Sequence, residues 1–232
     1  MKYFNFPKEW INSRNIPKET LYKFLEADEK LKKLFIDNVE RIRLEYLITQ
    51  SNSNIEKFVS EEERYEEIHF YTIELRKKGY EEKIANLLHG IIPKATLIEL
   101  KFENEWKLSV TRKNISNNRI KIDEVFTTAW ITEKNTEIIT SLNFSNFNST
   151  NLKFFYESIS DRIKAFNSSE VLGVFSLENI EENKEKTEDI IRIKTEIEVL
   201  KKELNKEKHN FKKAEIIKKI KKMNEELKKR EV

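Results

Sequence analysis

The chain has no cysteine among its 232 residues, which excludes disulfides, thiol nucleophiles and cysteine-ligated metal sites. Its only glycines are Gly79, Gly90 and Gly173. Walker and dinucleotide-binding loops need clustered glycines, so ATP binding by those modes is excluded, and no Gly-x-Ser-x-Gly elbow exists. The histidines, His69, His89 and His209, are too far apart to share ligand spacing on one element, and no metal site or other cofactor is expected. No apolar run approaches the ~18 residues a bilayer requires. Met1–Trp10 lacks the apolar centre of a signal peptide. A cytoplasmic chain without membrane contact is the expectation, and the lack of cysteine fits it.

What is present is charge. Charged residues make up 37% of the chain and apolar ones 38%, yet fifteen Phe, seven Tyr and three Trp suffice for a core. The excess charge therefore belongs to the surface or to a non-globular segment. Lys, Asn and Ile dominate, as an AT-rich genome would dictate, which discounts part of the lysine signal. The formal charge of +3 hides an imbalance. Lys184–Val232 holds 17 basic and 11 acidic residues, which leaves 27 and 30 for residues 1–183. Lys208–Arg230 alone holds ten basic and three acidic residues. An acidic body with a basic tail suggests a polyanion-facing arm, set against the plainer reading of a solvated helix.

Hydrophobic spacing predicts helices over 19–26 and 28–40, the first started by Pro17. Ile42–Thr49 alternates as a strand, and Ile68–Leu75 reads as a buried central strand. Residues 50–65 read as a loop and acidic connector. Tyr80–His89 reads as a helix capped by Gly90. A hairpin turns at Glu103-Asn104, Ile120–Thr127 adds a strand and Ala129–Thr132 a further short one, and Leu152–Phe166 forms a helix. The result is an α/β or α+β domain, a mixed sheet flanked by helices, over 1–178.

From 179 to 232 the pattern changes to a basic helical hairpin or coiled-coil arm. Ile190, Ile193, Ile197, Leu200 and Leu204 step by 3, 4, 3 and 4, a helix–helix seam that serves the second tail helix or a partner interface. Ile217, Ile220, Asn224 and Leu227 start a second seam in another phase, which predicts a turn near Asn205–Asn210; one long helix with a phase shift is the alternative.

Several segments in order resemble an uncharacterised bacterial family, the domain of unknown function numbered 4391. They are Phe6-Pro7-Lys8, Ile16-Pro17-Lys18 with Leu21-Tyr22, the strand Phe70–Leu75, Ile91-Ile92-Pro93 before Leu97–Leu100, Thr128–Trp130, and Lys206-Glu207-Lys208 with Phe211, Lys213 and Glu215. The resemblance runs from about residue 5 to 230. Its motifs blur in the Asn-rich stretches Asn104–Asn118 and Asn143–Asn151. It implies an accessory role in a restriction or phage-defence locus, beside a superfamily-2 helicase or a DNA methyltransferase. It implies no catalytic residues.

The residues themselves offer one catalytic constellation. Glu74-Leu75-Arg76-Lys77 closes a strand in a helix–strand–strand–helix–strand order, as in restriction-type nucleases. There an acid and a base two apart hold Mg²⁺ and activate water. Glu45 on the preceding strand is the candidate second acid. Arg76 stands where lysine is wanted, and a guanidinium cannot readily lose a proton. The plainer reading makes Glu74 and Arg76 polar ends of a strand. The basic arm offers Lys208, Lys212, Lys213, Lys218, Lys219, Lys221 and Lys222 for a DNA or RNA backbone, without sequence preference. Phe211 is the arm's one aromatic, too few for a dedicated single-strand binder. The sequence thus favours a non-catalytic subunit over a Mg²⁺-dependent nuclease or a self-associating structural protein. A larger DNA-processing partner is expected, and a homo-oligomer stays open.

Overall fold

Aromatic and β-branched residues concentrated at 39–49, 67–75 and 95–102 build the centre of a six-stranded sheet. The computed structural model describes residues 1–22, 29–116 and 119–230. In chain order the body contains β1 (Ile11–Asn15), α1 (Lys18–Tyr22), α2 (Glu29–Asn38), β2 (Val39–Thr49), α3 (Gln50–Ser53), β3 (Phe58–Val59), β4 (Arg64–Tyr65) and β5 (Glu67–Leu75). Then follow α4 (Glu81–Ile91), β6 (Ala95–Phe102), β7 (Glu105–Ser116), β8 (Arg119–Thr127), α5 (Thr136–Ser141) and α6 (Leu152–Leu172). The chain ends in α7 (Ile180–Lys206) and α8 (Asn210–Arg230).

The sheet order is β1-β2-β5-β6-β7-β8, and the mixed α/β architecture expected from the pattern is present. Neighbours are antiparallel except β5 and β6, which α4 connects as a parallel pair. One face carries α2 and α4, whose Phe35, Ile84 and Leu88 pack with Ile42, Ile73, Ile98 and Leu100 of the strands. The other face is covered by the N-terminal segment and the start of α6. Phe4 and Phe6 meet the Phe70 ring edge-on, and Phe155 of α6 packs on Trp10 and Phe147.

Several expected boundaries move. The first helix covers Lys18–Tyr22, and Phe24 and Leu25 lie outside the described residues. Residues 50–65 hold α3 and the two-stranded β3–β4 sheet; Thr49 donates its backbone N–H to Asn52 Oδ1 at 2.8 Å and starts α3. Gly90 does not cap α4. The helix runs to Ile91, and Lys113 of β7 takes the terminal carbonyl of Ile92 at 2.6 Å. The strand expected over Ala129–Thr132 is a single bridge between Ile131 and Trp106. Helix α6 continues past Phe166 and stops at Gly173, whose φ of +77° is one that residues with side chains rarely adopt.

Two compact units emerge, Met1–Lys164 and Ala165–Val232, divided within α6 and ahead of the composition change at about residue 178.

Candidate functional site

The C-terminal unit is a helical hairpin. Helix α7 ends at Lys206, α8 begins at Asn210, and three residues connect them. Glu207 makes the turn. Its carboxylate accepts the backbone N–H groups of Lys208 (2.7 Å) and His209 (2.8 Å), which hold it below its ordinary pKa. At the far end Arg230 pairs with Asp189, so the helices run antiparallel.

The α7 seam is present as expected. Ile190, Ile193 and Ile197 are buried and Leu200 and Leu204 half-buried, so little more than the last two stays within a partner's reach. The α8 seam differs in phase from the expected one. Ile216, Ile220, Met223 and Leu227 face inward, while Ile217 and Asn224 are exposed. The Ile216-Ile217 doublet permits either phase by hydrophobicity; packing selects the one that continues α7's 3–4 spacing. A groove of about 400 Å³ opens between the helices, with Val199, Leu200 and Met223 inside and Glu196, Lys219 and Lys222 around it.

The expected backbone-binding lysines separate into groups. Lys208 lies in the connection and Lys213 is half-buried on the seam. Lys212 and Lys219 flank the seam. Lys218 and Lys221 project from the outer face of α8, Lys222 borders that face from the rim of the groove, and Lys228 and Lys229 extend the same stripe with Glu225 as its one acid. The stripe spans ~16 Å along the axis at ~1.5 Å per residue. None of these five stripe lysines holds an ion pair or hydrogen bond among the described residues, whereas Lys184, Arg192 and Lys201 of α7 are paired with Glu188, Asp189 and Glu198. Helix α7 thus neutralises part of its positive charge locally, whereas on α8 the pairing falls to Arg230 and the stripe lysines stay available.

The expected nuclease residues are placed apart. Glu74 lies near the end of β5, 3.9 Å from Arg41 and opposite Lys101 of β6. Arg76 donates to the Val39 carbonyl, and Lys77 lies over the Tyr80 ring. Glu45 sits at a bulge in β2, opposite the Phe70–Tyr71 step of β5, where Ser13 and Arg43 contact its carboxylate. Three to four residues of β5 separate it from Glu74, ~10–13 Å at ~3.3 Å per residue. Among the described residues no cluster of three carboxylate or imidazole groups could hold a metal ion.

A profile of the family described as "Domain of unknown function (DUF4391)" matches residues 4–227. The chain belongs to the DUF4391 family. No curated protein and no solved structure matches it. The matched span covers both units, so the hairpin is an integral part of the DUF4391 domain rather than an appendage. No helix among the described residues is long and apolar enough to cross a membrane.

Two polar clusters of this DUF4391 chain escaped the sequence reading. Glu67, His69 and Tyr71 alternate along one face of β5. His69 Nδ1 lies 3.3 Å from the Tyr71 hydroxyl, and its Nε2 lies 3.4 Å from Glu67 Oε2. Lys94 reaches Glu67 at 2.8 Å. Burial lowers the His69 pKa against the opposing pull of Glu67. The second cluster is fully enclosed. His89, in the last turn of α4, places Nε2 at 3.1 Å from Ser109 Oγ, which accepts from Thr127 at 2.9 Å. Burial and then nearby Lys113 push the His89 pKa well down, so the ring is neutral and no helix-dipole charge pairing operates. A serine beside a histidine suggests a nucleophile and base, but both side chains are wholly buried, and the pair serves to fasten α4 to the sheet. A period-2 pattern on β5 is the one sequence signal that could have disclosed the first cluster. The second joins residues 38 positions apart and had none.

Proposed function

We propose that this DUF4391 protein is a non-catalytic accessory subunit of a DNA-directed bacterial defence assembly, acting in the cytoplasm. The outer face of α8 lies against the phosphate backbone of DNA or RNA, and the body docks a larger DNA-processing protein such as a helicase or methyltransferase. The observation that carries this reading is the stripe of five lysines along the outer face of α8 that hold no ion pair or hydrogen bond among the described residues. Each ammonium that meets a phosphate releases a counterion, so binding is sequence-independent and steeply salt-dependent. The test is duplex affinity measured across a salt series. Replacing Lys218, Lys221 and Lys222 with alanine should lower the slope of log K against log salt by about 2–3. An unchanged slope removes the backbone contact. Co-purification at high salt after nuclease treatment tests the partner separately.

A second reading, a Mg²⁺-dependent nuclease centred on Glu74, draws support from the strand order. With α3 and the small β3–β4 sheet set aside as an insertion, α2, β2, β5, α4 and β6 follow the helix–strand–strand–helix–strand arrangement that such enzymes use. Metal-dependent cleavage that Glu74→Ala abolishes would establish it.

A further inference from the structure

We infer that the body carries a second nucleic-acid surface, a lysine-framed aromatic platform at the carboxyl ends of β5 and β6 that stacks the bases of a single strand. It uses none of the residues on α8 and does not depend on the hairpin's backbone contact.

The location follows from topology. β5 and β6 are parallel, so both end at the same edge of the sheet and α4 starts there. In open α/β sheets that edge is where ligands settle. The turn from β5 into α4 carries Lys77, Lys78 and Tyr80, and the first turn of α4 adds Lys83. Phe102 closes β6, Lys107 follows on β7, and Trp130 comes from the segment after β8.

The geometry pairs each of two rings with two cations. Lys77 and Lys83 place their ammonium groups 5.6 and 5.9 Å from the centre of the Tyr80 ring. Lys78 and Lys107 lie 4.5 and 5.5 Å from the centre of the Trp130 ring system. Lys78 also approaches Phe102 at 5.6 Å and pairs with Glu105. Lys77, Lys83 and Lys107 hold no ion pair among the described residues. Tyr80 is 37% exposed.

A ring face beside an unpaired ammonium matches the two chemistries of a nucleotide, a flat base and an anionic phosphate. The resting cation–π contacts at the exposed Tyr80 ring are weak and give way, while Trp130 is half-buried against the core. An arriving base takes the ring, and the displaced ammonium turns to the adjoining phosphate. A duplex cannot use such a platform, because its bases are already stacked on one another. The hairpin has Phe211 alone for stacking, so the rings that could stack bases are those of the body.

The experiment uses the full chain and a labelled thymidine oligomer of ~12 nucleotides, long enough to cover one such site. Anisotropy and tryptophan emission are the two readouts. The oligomer should bind and quench tryptophan emission. Tyr80→Ala should weaken its binding about tenfold, Tyr80→Trp should restore it, and neither should change duplex affinity. Alanine at Lys218, Lys221 and Lys222 should do the reverse, weakening the duplex and leaving the quench. Far-ultraviolet circular dichroism confirms folding, and the double variant Lys77→Ala with Lys83→Ala repeats the test without touching a ring. Unchanged oligomer binding by both Tyr80→Ala and this double variant overturns the proposal. So does equal affinity for an abasic oligomer, or displacement by polyglutamate as effective as by the oligomer itself.

Discussion

Tyr156 joins β6 to β7 where their ladder opens. The register that pairs Ile98 with Ser109 would, two residues on, pair Thr96 with Thr111, but the Tyr156 hydroxyl enters between them. It accepts the Thr111 N–H at 3.1 Å, and its single proton serves the Thr96 carbonyl at 2.8 Å or the Thr111 carbonyl at 3.1 Å. Full burial pushes the phenol pKa up, so it stays a donor at any working pH. Tyr156→Phe leaves an amide and a carbonyl unpaired in the core, and a loss of about 2–4 kcal/mol is expected in urea unfolding. Lys113 makes a second residue-scale prediction. Burial lowers its pKa from 10.5 to about 7, while its amine donates to the carbonyls of Ile92 and Lys94. Between pH 7 and 10.5 the unfolded chain holds this proton and the folded chain does not, so stability rises with pH across that window. His89 acts with the same sign lower down, because its folded pKa lies well below 6.5 and acid favours the unfolded chain. Melting temperature measured from pH 6 to 10 should climb, and Lys113→Met should flatten the climb by an amount equivalent to a few kcal/mol.

At the scale of elements, the seam of α8 can be tested directly. Ile216 is 7% exposed and its neighbour Ile217 is 43% exposed. Ile216→Ala should cost about 2–3 kcal/mol and Ile217→Ala under about 1 kcal/mol, measured by denaturant unfolding. The opposite order would restore the phase read from hydrophobicity. The same comparison shows what a sequence discloses. The β5 strand was legible as Ile68–Leu75 because the segment is rich in β-forming residues. The α7 seam was legible because five positions repeat at helical spacing. The α8 phase was not, since two adjacent isoleucines give hydrophobicity no preference and Met223 decides by packing. Gly90 looked like a cap, but the chain stays helical through Ile91 and turns extended at Ile92, the residue before Pro93. The aromatic platform was invisible for another reason. Tyr80 and Trp130 are 50 residues apart, and only the parallel pairing of β5 with β6 and the return of the chain after β8 put their lysines at one edge.

At the scale of the whole molecule, a net charge of +3 on 232 residues is too small to draw the chain to a polyanion by itself. The distribution matters more, because screening confines each charge to ~8 Å at physiological salt, half the length of the α8 stripe. Two variants of equal net charge separate the effects. Glutamate at Lys218, Lys221 and Lys222 takes the formal charge from +3 to −3, and so does glutamate at the exposed body lysines Lys8, Lys57 and Lys134. The hairpin variant should lose duplex binding at every salt concentration, while the body variant should retain most of it. Both should melt close to the parent, since exposed, unpaired lysines contribute within about 0.5 kcal/mol each. If the two variants weaken together, long-range net charge governs the association and the α8 stripe has no special part in it. If only the hairpin variant fails, the duplex contact is local to α8, and the acidic body is left free to face a protein partner or a single strand rather than the duplex.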